Sequence, residues 1–165
     1  QTQEQAKQIM EVGAQAVAKD DEMLQKAIKA SEVNTANLLT VFEHEPGAAV
    51  DFNPNYMLIA ENLKNFPGIK SGKEYLFHSR KILVNANIPY THIDEEFEKE
   101  IVGGFEFYKL NASAEFAGIP VHQLYMACVR DGFVICFISS YSDDMQKETL
   151  EKIKNSIKPY KSKDR

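Results

Sequence analysis

Apolar and polar positions change their spacing several times along this chain, and each change predicts a different element. Ile9, Val12, Ala16, Met23, Leu24, Ala27 and Ile28 recur three and four positions apart among Lys, Gln and Glu, which predicts helix across residues 1–30. Asp20, Asp21 and Glu22 suit a helix N-terminal turn, so the stretch reads as one bent helix or as two. From Leu38 the spacing shortens. Leu38–Phe42 and Tyr56–Ala60 are β-rich runs, separated by the turn signals Glu45-Pro46-Gly47 and Asp51-Phe52-Asn53-Pro54-Asn55. Phe66-Pro67-Gly68 closes that unit. Ser71 then opens a capping box with Glu74, ahead of Tyr75, Leu76, Ile82 and Leu83 at helical spacing. Pro89 predicts the end of that helix near residues 85–87.

The second half reads as a meander of strands at Tyr90–Ile93, Phe97–Val102, Phe105–Phe116, Ile119–Arg130 and Phe133–Tyr141. Gly103-Gly104, Ala117-Gly118 and Asp131-Gly132 between them are two-residue connections that close tight hairpins. A last helix starts at Asp143 or Asp144, carries Leu150, Ile153 and Ile157 on one face, and stops before Pro159. The pattern predicts one domain over residues 31–158. The helical segment 1–30 is expected to pack on it, and residues 159–165 to form a solvated tail.

If Asp131-Gly132 is a two-residue turn, Arg130 faces Phe133 and the rest of the register follows. Cys128 then lies opposite Ile135, and Cys136 opposite Ala127. One face of the ribbon carries Leu124, Met126, Cys128, Phe133, Ile135 and Phe137. The other carries Tyr125, Ala127, Val129, Val134, Cys136 and Ile138. Both are apolar, so both must be covered, most economically by the predicted helices. The fold class expected is α+β: a three-layer α/β/α sandwich around a largely antiparallel sheet. Cys128 and Cys136 point to opposite faces, which predicts two reduced, structural cysteines and no disulfide between them.

Composition narrows the function classes without naming one. The chain has 165 residues and a net charge of −5, which argues against a binder of nucleic-acid backbones. The longest apolar run, Phe133–Ile138, is too short to cross a bilayer. The chain opens QTQEQAKQ, so Gln1 is read as a processing point or an internal position. Any signal peptide or lipid anchor would then lie upstream.

Candidate chemistry is sparse. The four histidines, His44, His78, His92 and His122, are scattered. His44 in Phe42-Glu43-His44-Glu45 and His92 beside Asp94 are the metal-ligand candidates, without the spacing of zinc or calcium sites. No G-x-S-x-G motif is present. Gly68 to Lys73 could offer an anion a helix N-terminus, but it lacks P-loop spacing and also reads as a plain helix cap. Asp94, Glu95, Glu96, Glu98 and Glu100 read as a charged strand face and, over residues 94–98, as rival carboxylates for a hydrolase. Asn111-Ala112-Ser113 fits a glycosylation sequon, relevant in a eukaryotic secretory pathway.

Certain residues are familiar. Asp51-Phe52-Asn53-Pro54-Asn55 followed by Glu61-Asn62-Leu63 resembles the FNPN…ENL segment of small bacterial PsbP-like proteins. Gly103-Gly104-Phe105-Glu106-Phe107-Tyr108-Lys109-Leu110 is similar to their GG-x-EF-x-x-L strand. Arg130-Asp131-Gly132-Phe133, with Phe137, Tyr141, Asp143 and the stretch Leu150 to Ile157, resembles their final hairpin and helix. These motifs run from Leu38 to Ile157 and mark fold: Asn53, Pro54, Asn55, Gly103, Gly104, Asp131 and Gly132 are structural signatures. The resemblance implies the α/β/α sandwich shared by the photosystem II subunit PsbP, the Ran-binding nuclear import factor and DcrB-like envelope lipoproteins. It also implies an exported or lipid-anchored protein. The family's early P-x-G-W turn has no counterpart, and the chain holds no Trp. Either that first strand lies before Gln1 or the helix over residues 1–30 replaces it.

The expectation is therefore a non-enzymatic accessory or interaction domain, outside the cytoplasm (periplasm, envelope or secreted), with a protein partner and no cofactor. A cytoplasmic location is the alternative. The rival function is a module for a small apolar ligand or a divalent metal ion, in a sheet–helix pocket near Tyr75, Tyr90, Tyr108 or Tyr125. A hydrolase built on residues 94–98 is the third reading.

Overall fold

A computed structural model describes residues 34–86 and 88–158. The expected helix over residues 1–30 and the tail 159–165 lie outside the described residues. The strands are β1 (Thr35–Phe42), β2 (Asn55–Asn62), β3 (Tyr90–Ile93), β4 (Glu98–Val102), β5 (Phe105–Phe116), β6 (Ile119–Arg130) and β7 (Phe133–Tyr141). The helices are α1 (Gly72–Asn85) and α2 (Asp144–Asn155), with a short 3-10 turn at Leu63–Asn65. All seven strands form one antiparallel sheet in the order β1-β2-β7-β6-β5-β3, and β4 also pairs with β5.

The β6–β7 register is the one the turn dictates: Arg130 opposite Phe133, Cys128 opposite Ile135, Ala127 opposite Cys136. Asp131 and Gly132 take φ of 51° and 81°, as a turn closing a right-twisted ribbon requires. Leu76 and Leu83 of α1 bury one ribbon face together with Ile59, Leu110, Ala127, Val134 and Cys136. Leu150 of α2 buries the other with Tyr56, Val102, Phe107, Met126 and Phe137. Helices on opposite faces of one sheet make the expected three-layer sandwich. Ile82, expected at the helix interface, is 39% exposed, because the buried stripe of α1 runs Leu76 to Leu83.

Local chemistry sets the helix starts. Ser71 Oγ accepts from Glu74 N at 3.3 Å, while the Glu74 carboxylate reaches back to Lys70 N at 2.7 Å. Asp143 caps α2 through Gln146 N at 2.8 Å. Gly72 does something the sequence reading passed over. A Cβ there would overlap the Ala127 carbonyl oxygen and come within 2.6 Å of its carbon, so only glycine lets α1 sit this close to β6.

One expectation is corrected. The meander holds from β4 to β7, but β3 does not pair with β4. Tyr90, His92 and Ile93 lie against Ala114, Ser113 and Ala112, and β4 lies against the other half of β5. Asp94 links the two stretches. Its N donates to Asn111 O at 2.9 Å, and its Oδ2 accepts from Asn111 N at 2.8 Å and Asn111 Nδ2 at 2.7 Å. The side chain completes the ladder where the strand breaks, so the chain continues along the same edge of β5.

Three outcomes follow. Gly72→Ala destabilises the domain by on the order of 1–3 kcal/mol or more, since backbone must move, read as a lower urea midpoint. Gly132→Val strains a left-handed position in open space and costs about 1–3 kcal/mol by the same measurement. For Asp94, partial burial alone would raise the pKa. Hydrogen bonds from Asn111 and His92 outweigh it, so the folded value lies below the ordinary one. The stabilisation is thus present above the unfolded-state pKa and fades as pH falls through the lowered one. Asp94→Ala costs about 1 kcal/mol at neutral pH, and its urea midpoint converges on that of the parent in acid.

Candidate functional site

The register assembles side chains that are far apart in sequence. His92 of β3 faces Ser113 of β5, Ser113 faces His122 of β6, and His122 faces Tyr141 of β7. Cross-strand partners project to the same side, so the four form a polar row across the sheet. Ser113 Oγ lies 2.9 Å from His122 Nδ1, and the Tyr141 ring stacks on His122 at 5.4 Å between centroids. The Lys147 ammonium sits 6.0 Å from the Tyr141 ring. Sequence spacing could not show this row; only the β5–β6 turn position, propagated strand to strand, could have found it.

A serine hydrogen-bonded to a histidine is the first half of a nucleophile–base pair. The second half is missing among the described residues. His122 has no carboxylate partner there. The backbone N–H groups on either side belong to the sheet ladder, leaving no oxyanion donors aimed at Ser113. The row is a strip of donors and acceptors on an open face.

The acidic run disperses. Asp94 is held by His92 at 2.9 Å and by Asn111, Glu98 by Lys109 at 2.9 Å, and Glu100 by Lys154 at 2.6 Å. Lys154 is 5% exposed and also meets Glu151 at 2.6 Å. Burial works against its charge, and the two carboxylates outweigh that and raise its pKa. Glu95 and Glu96 are exposed on the connection. His44 follows β1, on the opposite edge of the sheet from His92, and its backbone is clamped by the Asn53 side chain at 3.0 and 2.9 Å. Asn53 is thus a loop clamp and Asn55 the first residue of β2. Among the described residues no group of three or more His, Cys, Asp or Glu could hold a metal ion.

Three of the four tyrosines named for a ligand pocket are bonded inward. Tyr75 OH donates to Glu61 Oε2 at 3.0 Å, and Tyr90 OH and Tyr125 OH both donate to Gln123 Oε1, at 3.2 and 2.9 Å. Desolvation by burial raises the pKa of all three. Tyr108 lies under the Lys99 ammonium at 5.1 Å. Two hollows are formed by other residues. One, of about 10 Å³, lies beneath α2 among Tyr56, Ser139, Leu150, Glu151 and Lys154. The other is an open groove of about 330 Å³ at the Asp131–Gly132 turn, walled by Leu63, Phe66, Ile69, Val129 and Phe133. At the start of α1, Glu74 fills the place an anion would take. Burial pushes the Cys136 thiol up to about 12, with Glu61 and Cys128 adding to it, so it is no nucleophile at neutral pH.

The two sheet edges differ sharply. The β3–β4 edge is broken in two and carries Glu98, Lys99 and Glu100. The β1 edge has no charged residue from Thr35 to Phe42, and exposes Leu38 at 55%, Leu39 at 45% and Val41 at 37%. Among the described residues β1 has β2 as its one strand neighbour.

No family model matches the chain, and no curated protein matches its sequence. Among solved structures the chain is similar to the protein of unknown function PA94 from Pseudomonas aeruginosa. The likeness has a TM-score of 0.53 and 7% identity, over 75% of this chain and 85% of that one. It is also similar to LpqN of Mycobacterium tuberculosis, described as involved in cell envelope biogenesis. There the TM-score is 0.40 and the identity 18%, over 75% of each chain. At 7% identity the likeness to PA94 is one of fold.

Proposed function

We propose that this chain is a non-enzymatic interaction domain that engages a protein partner along the outer edge of β1. The observation that carries the reading is the contrast between the edges. Natural sheets protect an edge with charge, breaks or bulges, because an open ladder recruits foreign strands. This domain protects the β3–β4 edge in that way. On β1 it offers uncharged backbone with Leu38, Leu39 and Val41 exposed beside it, relieved only by a register shift between Asn37 and Leu39. Strand addition uses such an edge: backbone hydrogen bonds supply affinity, and alternate side chains supply selectivity.

The absence of catalytic work in this reading rests on the dispersal of the acidic run and the incomplete Ser113–His122 pair. Assignment to the PsbP-like group, and with it an exported or envelope-associated location, is supported by the FNPN…ENL, GG-x-EF and RDGF segments. A module for a small apolar ligand is the second reading, and what favours it is the open groove at the Asp131–Gly132 turn.

A photoreactive amino acid placed at position 38, and separately at position 101 on the charged edge, tests the reading in the cells that make the protein. The expected result is a discrete crosslinked product from position 38. It is lost when Leu39→Glu and Val41→Glu are added, with the melting midpoint of the domain unchanged. Equal products from both positions, or none from position 38, would overturn the reading; a ligand-binding module would crosslink at neither.

A further inference from the structure

We propose that the outer face of α1 is a membrane-docking surface, which lays this domain on bilayers rich in anionic lipid. The proposal does not rest on the reading of β1. One side of α1 is occupied: Leu76 and Leu83 enter the core, and Arg80 Nε donates to the Asp94 carbonyl oxygen at 2.7 Å. The other side carries Lys73, Phe77, Lys81 and Val84 in one row, with His78 and Ile82 in the row beside it. Phe77 is 48% exposed and Val84 55%, and Ile82 is open as well. On a helix that packs one stripe against a sheet, such positions are normally polar.

Charge sets this face apart from the rest of the molecule. The chain totals −5, yet residues 63–93 hold five Lys and Arg against the single acid Glu74. Glu74 is engaged at the helix start, where it accepts from Lys70 N and Ser71 Oγ. None of the ion pairs among the described residues uses Lys70, Lys73, Arg80 or Lys81. α2, on the opposite face of the sheet, mixes Asp144, Glu148 and Glu151 with Lys147, Lys152 and Lys154. On α1 the Lys81 ammonium rests 4.3 Å from the centre of the Phe77 ring, so cation and apolar wedge sit together.

That pairing identifies the occupant. At a bilayer surface, lysines reach anionic headgroups while the ring between them enters the acyl boundary. A protein partner fits less well. Lysine is depleted at protein interfaces, and three separate apolar side chains on a convex helix offer no groove. Nucleic acid would set Phe77, Ile82 and Val84 against phosphates, on a chain that is acidic as a whole. α1 packs on β6, β5 and β3, so a domain seated on this helix keeps β1 at the far edge of the sheet.

Sedimentation of the full chain with vesicles tests this, using phosphatidylcholine alone and an equal mixture with phosphatidylglycerol. The expected result is binding to the mixed vesicles only, lost in about 1 M salt, where screening shortens to about 3 Å. Lys73→Gln with Lys81→Gln lowers the partition coefficient about thirtyfold, and Phe77→Gln about tenfold. Lys147→Gln with Lys152→Gln on α2, the same change of net charge, leaves it within about threefold. All five positions are exposed, so these variants keep the parent urea midpoint. The chain holds no Trp, so Phe77→Trp adds a lone reporter. Its emission shifts to the blue on mixed vesicles, and that of Met145→Trp on α2 does not. Equal losses from the two lysine pairs, or from neither, would overturn the proposal by placing the membrane contact elsewhere in the chain. Equal binding to both vesicles, or to neither, would overturn it too. Capture of polyglutamate that depends on Lys73 and Lys81, without vesicle binding, would assign the face to an acidic protein instead.

Discussion

A strand pair that is apolar on both faces cannot stand in water, and the rest of this domain is arranged to cover the β6–β7 ribbon. Ala127, Val134 and Cys136 demand a lid on one side, and Met126 and Phe137 demand one on the other. The lids differ in how they are fixed. α1 is seated by shape: Gly72 brings its first turn against the Ala127 carbonyl, and Leu76 and Leu83 follow into the core. α2 is seated by charge as well as by Leu150, through a nearly buried Lys154 between Glu100 and Glu151. Such a triad adds orientation more than net stability, since desolvation offsets much of the attraction. It fixes which way α2 crosses the sheet, and hence which strands it leaves open.

Much of this was legible in the sequence because the signals were local. Asp131-Gly132 set the register, Ser71 and the Asp143-Asp144 pair set the helix starts, and the two-residue connections bounded β5 to β7. What escaped was non-local. Gly72 looked like part of a loop, because the carbonyl that demands it comes from β6. Asp94 looked like one of five surface carboxylates, because the Asn111 that holds it lies on another strand. The His92–Ser113–His122–Tyr141 row was invisible for the same reason, being a product of three registers. Tyr75, Tyr90, Tyr108 and Tyr125 were read as walls of a pocket, and all but Tyr108 prove to be bonded to Glu61 or Gln123.

Among the described residues most of the charged side chains of the acidic run are matched to a neighbouring side chain. Charges are matched locally, as in Glu98 with Lys109 and Lys99 with Glu106, and the buried thiol is held protonated. Among the described residues, Leu38, Leu39 and Val41 of β1 stay exposed beside an outer strand edge. The proposed recognition edge rests on that distribution.

The place of β2 has a further consequence, for the order in which the chain becomes a domain. Asn55 to Asn62 pair with Phe133 to Ser140, so the join between the two halves of the sheet closes a loop that holds α1 and four other strands. Long-range closure is slow, and its entropy is lost before its contacts form. During synthesis the β1–β2 hairpin therefore emerges early and waits, with the inner edge of β2 as open as the outer edge of β1, until β7 is complete. In that interval the nascent chain offers the inner edge of β2, which the finished sheet pairs with β7. Whatever accompanies it then, whether a translocation channel or a holding chaperone, meets a different surface from the one the finished domain presents.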